Sequence, residues 1–394
     1  MISHKNNFLQ YVAQTSDAPI SLEIKKAEGI YLKTTDGKRY IDLISGIGVS
    51  NLGHRNQRIS QAIRKQVGKY LHTMVYGEYV QAPQVKLAKR LADLLPDPLE
   101  ATFFVNSGSE AIEGALKLAK RYTGKTGFVA MKNAYHGSST GALSLMSDAY
   151  YSSAYRPLLP GIRYADFNSI DSLSCIDGST AGVVIEIVQG EAGYLAPDPN
   201  FLEAVRQACT KHGALLIVDE IQTGMGRTGS LFAFEQYNLV PDILCLAKAF
   251  GGGMPLGAFV SSKSIMHSLS HNPVLGHIST FGGHPVSCAA GYENLQILSK
   301  SGLINKVSEK EALFRKLLVH PKIKQITGKG LMLGLALESE DEMHQMVAHC
   351  LQNGIIIDWF LYDLTKLRIA PPLIIRENEI KKVCKVLLDG LNKL

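Results

Sequence analysis

The sequence predicts an α/β fold: a mostly parallel central sheet covered by helices on both faces, joined to a smaller α+β domain. Three observations predict it. Apolar runs at 103–105, 128–131, 182–187, 214–218, 243–247 and 256–260 lack the polar alternation of a half-exposed strand, so both faces of each should be buried. Helix-patterned segments separate them, among them 109–119, with Ile112, Ala115, Leu116 and Ala119 on one face, and 200–212. After about Gly291 the texture changes to long amphipathic helices around short strands at 331–337 and 367–370. The expected division is an N-terminal segment at 1–45 that packs with the small domain, a large domain at 46–290, and a C-terminal small domain at 291–394. Within the first segment, alternation through 29–42 around Asp36-Gly37 reads as a hairpin.

The bulk properties bound the function. A chain of 394 residues, 46% hydrophobic and 19% charged, can bury a substantial core. Its net charge of +6 is spread along the chain with no Lys/Arg stripe, so no nucleic-acid partner is expected. No apolar run approaches the roughly 20 residues that span a bilayer, and the start lacks a signal-peptide core. The expectation is a cytoplasmic protein without a membrane partner. Six cysteines lie at least 34 residues apart, which excludes CxxC motifs, and no metal site is expected.

In a parallel sheet, ligands bind beyond the carboxyl ends of the strands, so residues just after each apolar run are the candidates. Asp219 follows 214–218 and Lys248 follows 243–247. Taken alone, such a pair reads as a structural ion pair. Asn106-Ser107-Gly108-Ser109 opens a helix; its N–H groups suit an anion, and an ordinary serine N-cap reads equally well. Gly124-Lys125-Thr126 imitates a nucleotide loop but follows a helix and lacks the leading glycine. Tyr135-His136-Gly137 offers an aromatic face with room for close approach. Glu186 sits inside an apolar run and needs a partner or a cleft edge, whereas Glu191 lies on a glycine-flanked loop.

One ligand uses all of these residues together. Pyridoxal phosphate needs a helix N-terminus for its phosphate, an aromatic side chain on its ring, a carboxylate on its pyridine nitrogen and a lysine for its aldehyde. Asp219 fits the third task and Lys248 the fourth, as an internal aldimine, while Gln222 can reach the phenolic oxygen. Lys248 then also serves as the base that moves a proton, which requires a pKa lowered from about 10.4 by burial and nearby positive charge.

The run Leu216-Ile-Val-Asp-Glu-Ile-Gln-Thr-Gly-Met-Gly-Arg-Thr-Gly, with Pro241-Asp-Ile and Lys248-Ala-Phe-Gly-Gly-Gly after it, resembles the signature of class III pyridoxal-phosphate-dependent aminotransferases. Asn106 to Glu110, Ala134 to Gly137, Glu186 to Gly193, Ser279-Thr-Phe-Gly-Gly and Arg368-Ile-Ala-Pro-Pro match further blocks in order, across nearly the whole chain. Within the class the pattern is most similar to the acetylornithine and ornithine aminotransferases.

The resemblance implies a fold-type I homodimer with active sites at the subunit interface. It assigns the phosphate to Ser107, Gly108 and Ser109, ring stacking to Tyr135 beside His136 and Glu186, the pyridine nitrogen to Asp219, the phenolic oxygen to Gln222, and the aldehyde carbon to Lys248. Thr280 is implied to reach the neighbouring subunit's phosphate, with Ser279 close to substrate. Arg368 is the implied clamp for an α-carboxylate, with Glu191 its alternate partner when the donor presents a terminal amine. The implied reaction moves the terminal amine of an ornithine-like donor, N-acetylornithine or ornithine, to a 2-oxo acid. Alternatives are a 4-aminobutyrate or β-alanine transaminase using pyruvate, or an aminomutase or decarboxylase on the same scaffold.

The chain departs from that pattern at three places. Ser138 stands where these families usually carry an arginine that binds a substrate carboxylate, with Arg163 and Lys132 as substitute candidates. His284 replaces a frequent asparagine, and Gln57 a frequent proline.

Overall fold

A computed structural model describes residues 4–75 and 77–394. Near the N-terminus, β1 (Ile24–Glu28), β2 (Tyr31–Thr34) and β3 (Arg39–Asp42) form an antiparallel meander. The main sheet has seven strands: β4 (Ala101–Val105), β5 (Gly127–Met131), β6 (Ile162–Ala165), β7 (Thr180–Glu186), β8 (Leu215–Asp219), β9 (Ile243–Leu246) and β10 (Gly257–Ser261), in the order β4-β10-β9-β8-β7-β5-β6. Further on come β11 (Gln325–Lys329), β12 (Met332–Ala336), β13 (Ile355–Ile356), β14 (Asp358–Trp359) and β15 (Lys366–Ile369). β11, β12, β15 and β14 make a third sheet, while β13 pairs parallel with β3, so a strand from near residue 355 completes the N-terminal sheet.

The apolar runs behave as their lack of alternation requires. Val183, Leu216 and Leu244 belong to one core cluster, and their neighbours Val184, Ile217 and Ile243 to another. β7, β8 and β9 therefore bury both faces, whereas the 103–105 run lies on β4, an edge strand that is mostly half-buried. The helix Gly108–Thr123 covers the second face, where Gly114 lies so close to Phe259 that a Cβ would sit 2.2 Å from its ring. Pro199–His212 buries Phe201, Leu202, Val205 and Cys209 against the first face.

In this sheet β10 runs antiparallel to both its neighbours, β4 and β9, while the described pairs among β5 to β9 are parallel. The carboxyl ends of the other six strands and the amino end of β10 thus meet along one edge, and the site lies there. That reversal was not anticipated, because a buried apolar run carries no mark of direction. β6 was also missed: Arg163 interrupts its apolar run, and an edge strand that is half exposed leaves a weak pattern. Arg227, fully buried, links this edge to the rest of the molecule by donating to the carbonyls of Leu331 and Pro371 and to Asn51 Oδ1.

Candidate active site

A cavity of about 400 Å³ opens at that edge of the sheet. The loop after β4 brings Ser107, Gly108 and Ser109 to its wall, and the loop after β5 brings Tyr135, His136 and Gly137. Glu186, Asp219, Gln222 and Lys248 follow from β7, β8 and β9, and Met254 to Leu256 enter from the start of β10. Residues singled out in the sequence from Asn106 to Lys248 thus border one space.

Several of them are fixed by the backbone around them. Ser107 Oγ accepts the Glu110 N–H at 3.2 Å, so the serine is a helix N-cap, and the Glu110 carboxylate turns back to accept from Asn106. Ser109 Oγ accepts the Ser138 N–H at 3.2 Å. Gly137 (φ 129°) lets the two loops meet, because a Cβ there would lie 2.1 Å from Ser109 Oγ.

Glu186 and Asp219 are register partners on adjacent strands and point to the same face. Asp219 Oδ2 lies 2.7 Å from His136 Nδ1, and its Oδ1 accepts the Ile221 N–H at 2.9 Å. Burial opposes a charged imidazole at His136, but the hydrogen bond and charge of Asp219, with Glu186 beyond, raise its pKa above the ordinary value. Glu186 accepts N–H groups from Tyr135 and Gly190 at 3.1 and 2.9 Å, yet burial pushes its pKa up to about 7. Lys248 occupies a left-handed backbone position (φ 47°) and is partly exposed to the cavity. Burial lowers its pKa against the pull of Glu191, Asp219 and Glu186. The partners of Asp219 are His136 and Ile221 and not Lys248, as the separate roles read for the two residues require.

Beyond the cavity wall, Arg368 grips Glu191. Nη1 lies 3.0 Å from Oε1, and Nη2 lies 3.0 and 2.8 Å from Oε1 and Oε2. Both side chains are buried. Desolvation favours the neutral arginine, but Tyr194, Asp358 and Glu191 outweigh it and raise the Arg368 pKa.

Ser138 is exposed, its hydroxyl 3.2 Å from Tyr135 Oη. Neither substitute cation takes its place at the cavity. Arg163 is bonded to Asp177 and Thr180, and Lys132 pairs with Asp166 at 2.7 Å. Ser279 Oγ accepts from Asn106 Nδ2 at 3.0 Å, Thr280 is exposed, and neither borders the cavity of this chain. Sequence reasoning overlooked the segment 358–362, which surrounds Arg368 and Glu191. Its signal was an acid, Asp358, directly after the buried run 355–357.

A pyridine-based phosphate fits the groups that face this space. Among the described residues, the buried His136 Nε2 and Gln222 Oε1 have no hydrogen-bond partner, and Gly137 places no Cβ against Ser109 at the first turn of the helix.

Comparison with known proteins agrees with this geometry. The family model for aminotransferase class-III matches residues 11–391. The acetylornithine aminotransferase of Methanocaldococcus jannaschii is 40% identical over 374 residues, covering 92% of this chain and 91% of that protein. That of Archaeoglobus fulgidus is 36% identical over 367 residues, covering 93% and 94%. Among solved structures, the ornithine aminotransferase of Toxoplasma gondii superposes with a TM-score of 0.92 at 27% identity, covering 100% of this chain and 96% of that one. An amine transaminase from an uncultivated Pseudomonas species, solved with pyridoxal phosphate bound, gives 0.89 at 25% identity, covering 97% and 98%. With the strand-end constellation in place and the match running from residue 11 to residue 391, the chain belongs to the class-III aminotransferases.

Proposed function

We propose that the protein is a pyridoxal-phosphate-dependent transaminase that takes the terminal amino group of an ornithine-like donor, N-acetylornithine or ornithine, and delivers it to a 2-oxo acid. The observation that carries the reading is one cavity with Asp219 locked by His136 on one side and, on another, a desolvated Lys248 amine without an ion-pair partner among the described residues. The acetylornithine aminotransferase relatives support the donor and do not favour the aminomutase or decarboxylase alternatives.

When bound, the cofactor supplies an electrophilic carbonyl and a ring that withdraws electrons from the substrate carbon. This chain's residues do the rest. Gly108 and Ser109 would hold the phosphate with the first turn of Gly108–Thr123, beside the Ser107 cap. Tyr135 would cover the ring. Asp219, oriented by His136, would keep the ring nitrogen protonated, and the Gln222 amide N–H would donate to the phenolic oxygen. Lys248 would hold the aldehyde carbon and, once displaced, take a proton from the donor carbon; a lowered pKa raises its neutral fraction at working pH. Arg368 would bind the α-carboxylate after Glu191 releases it.

We further propose a homodimer. Apolar side chains stand exposed on one stretch that includes Val274, Leu275, Ile278 and Phe281, next to Ser279 and Thr280. A second subunit covering that surface would put Thr280 at its neighbour's site. The same reading assigns 1–45 to the small domain, supported by the β3–β13 pairing. Among the described residues no helix is long and apolar enough to cross a membrane.

The test is a half-reaction screen. Cofactor-loaded enzyme is mixed with ornithine, N-acetylornithine, 4-aminobutyrate, β-alanine, glutamate or alanine while cofactor absorption is followed. Ornithine or N-acetylornithine should bleach it, and a 2-oxo acid should restore it. Lys248→Ala should lose turnover by at least about 10²–10⁴-fold, the share of the general base alone. Carbon dioxide release without amino transfer would overturn the reading.

A further inference from the structure

One short segment borders Arg368 on its Nε edge, its face and part of Nη2. Nη2 donates to the Trp359 carbonyl at 2.9 Å, Nε lies 3.0 Å from Asp358 Oδ1, and the Phe360 ring centroid lies 4.7 Å from the guanidinium carbon. The next two residues bind the opposing acid: Leu361 N–H donates to Glu191 Oε2 at 3.2 Å, and Tyr362 N–H to the Glu191 carbonyl. Asp358 and Arg368 are directly opposed across β14 and β15, which fixes the acid on the Nε side. The Nη fork is left to Glu191.

We propose that Asp358 is a positioning residue: it keeps the Arg368 fork aimed at the site while Glu191 gives way to the carboxylate of an incoming 2-oxo acid. The inference rests on the transaminase reading above. If Glu191 were the only acid on Arg368, its departure would leave a buried guanidinium without a counter-ion, a state costly enough to drive the side chain elsewhere. Asp358 stays behind as counter-ion on the edge that substrate does not use, so two parallel N–H groups remain free for two-point capture of a carboxylate. Its contact with Nε is short but poorly aligned for a hydrogen bond, so charge and placement hold the pair. The other acid that acts on Asp358, Asp42, has its own partner in His54, and the other cation that Arg368 acts on is Lys248 in the cavity.

The experiment follows the two half-reactions of the holoenzyme separately, in single turnovers, for wild type, Asp358→Asn and Asp358→Ala. Amine donors are read with Glu191 and Arg368 still paired, so donor rates and affinities should stay within about two-fold, as for a change outside the reacting groups. The apparent affinity for the 2-oxo acid should weaken by about ten-fold or more, because one partner of a buried charge pair has been removed. Equal loss in both half-reactions, or no change in either, overturns the proposal. Should Asp358→Ala fail to give folded holoenzyme, the near-isosteric Asp358→Asn decides. Failure of the wild type in both half-reactions would instead refute the transaminase reading.

Discussion

His136 Nδ1 and Asp219 Oδ2 stand 2.7 Å apart, with both side chains out of solvent. The contact sets the direction of Asp219: one oxygen is taken by the imidazole, and the other accepts the Ile221 N–H. A carboxylate so held cannot turn away to find water or reach Lys248. His136 thus does its work through Asp219, and its Nε2 is buried without a partner among the described residues.

His136→Phe keeps the volume and removes the bond. It leaves one oxygen of a buried carboxylate unpartnered, at a cost of about 1–3 kcal/mol. Pyridoxal phosphate affinity and kcat together should therefore fall by about 5- to 150-fold, as RT sets the conversion. Titration of the apo-enzyme with cofactor, followed by absorbance, reads the first part; a change below two-fold in both would show that Asp219 needs no such support.

The strand ends were legible because buried parallel strands leave long apolar runs and the polar residue after each run stands out. That is how Glu186, Asp219 and Lys248 could be found. Pairing geometry was less legible. Nothing in the spacing tells that Asp219 bonds to His136, 83 positions earlier, rather than to Lys248. The Ser107 cap was legible in kind, since a serine before a helix reads both as cap and as anion site, and the side chain is used as the cap. Asp358 was illegible because a cross-strand partner depends on the register of two very short strands.

Ser138→Arg should change substrate preference. The position is exposed, its hydroxyl lies by Tyr135 Oη, and its N–H is tied to Ser109. A guanidinium there would stand at the rim with room to meet a second carboxylate, as the corresponding arginine does in the families this chain resembles. About ten-fold tighter binding of 2-oxoglutarate relative to pyruvate is expected, equivalent to roughly 1.4 kcal/mol. Half-reaction titrations with the two acids decide; an unchanged ratio would mean that Ser138 does not face the substrate.

Arg227 should matter for stability rather than for chemistry. Its buried guanidinium serves Asn51, Leu331 and Pro371, and burial lowers its pKa to about 10. Arg227→Ala takes the donor from those three neutral acceptors, and a loss of about 3 kcal/mol or more is expected, at roughly 1–3 kcal/mol for each buried acceptor left unpaired. Urea denaturation should show the midpoint moving down, and a shift too small to resolve would mean that water enters to replace the side chain.

Glu220 makes folding stability depend on pH, with a sign opposite to that of an ion-paired acid. It is buried, accepting from Thr223 Oγ1 and from the Phe234 N–H at 2.7 Å each, and burial raises its pKa from 4.5 to about 7. Below pH 4.5 the folded and unfolded chains both keep this proton, so no penalty exists. Between 4.5 and about 7 the folded chain binds more protons than the unfolded one, and stability falls as pH rises. The full penalty, reached above pH 7, is on the order of 3 kcal/mol. Glu186 contributes a slope of the same sign, since its pKa is raised to about 7 as well. Glu220→Gln keeps an acceptor for Phe234 and has nothing to ionise, so it should flatten part of the slope and be most stabilising, relative to wild type, above pH 7. Unfolding free energies of both proteins from pH 5 to 8 test this, and parallel curves would show that Glu220 is already ionised in the folded state.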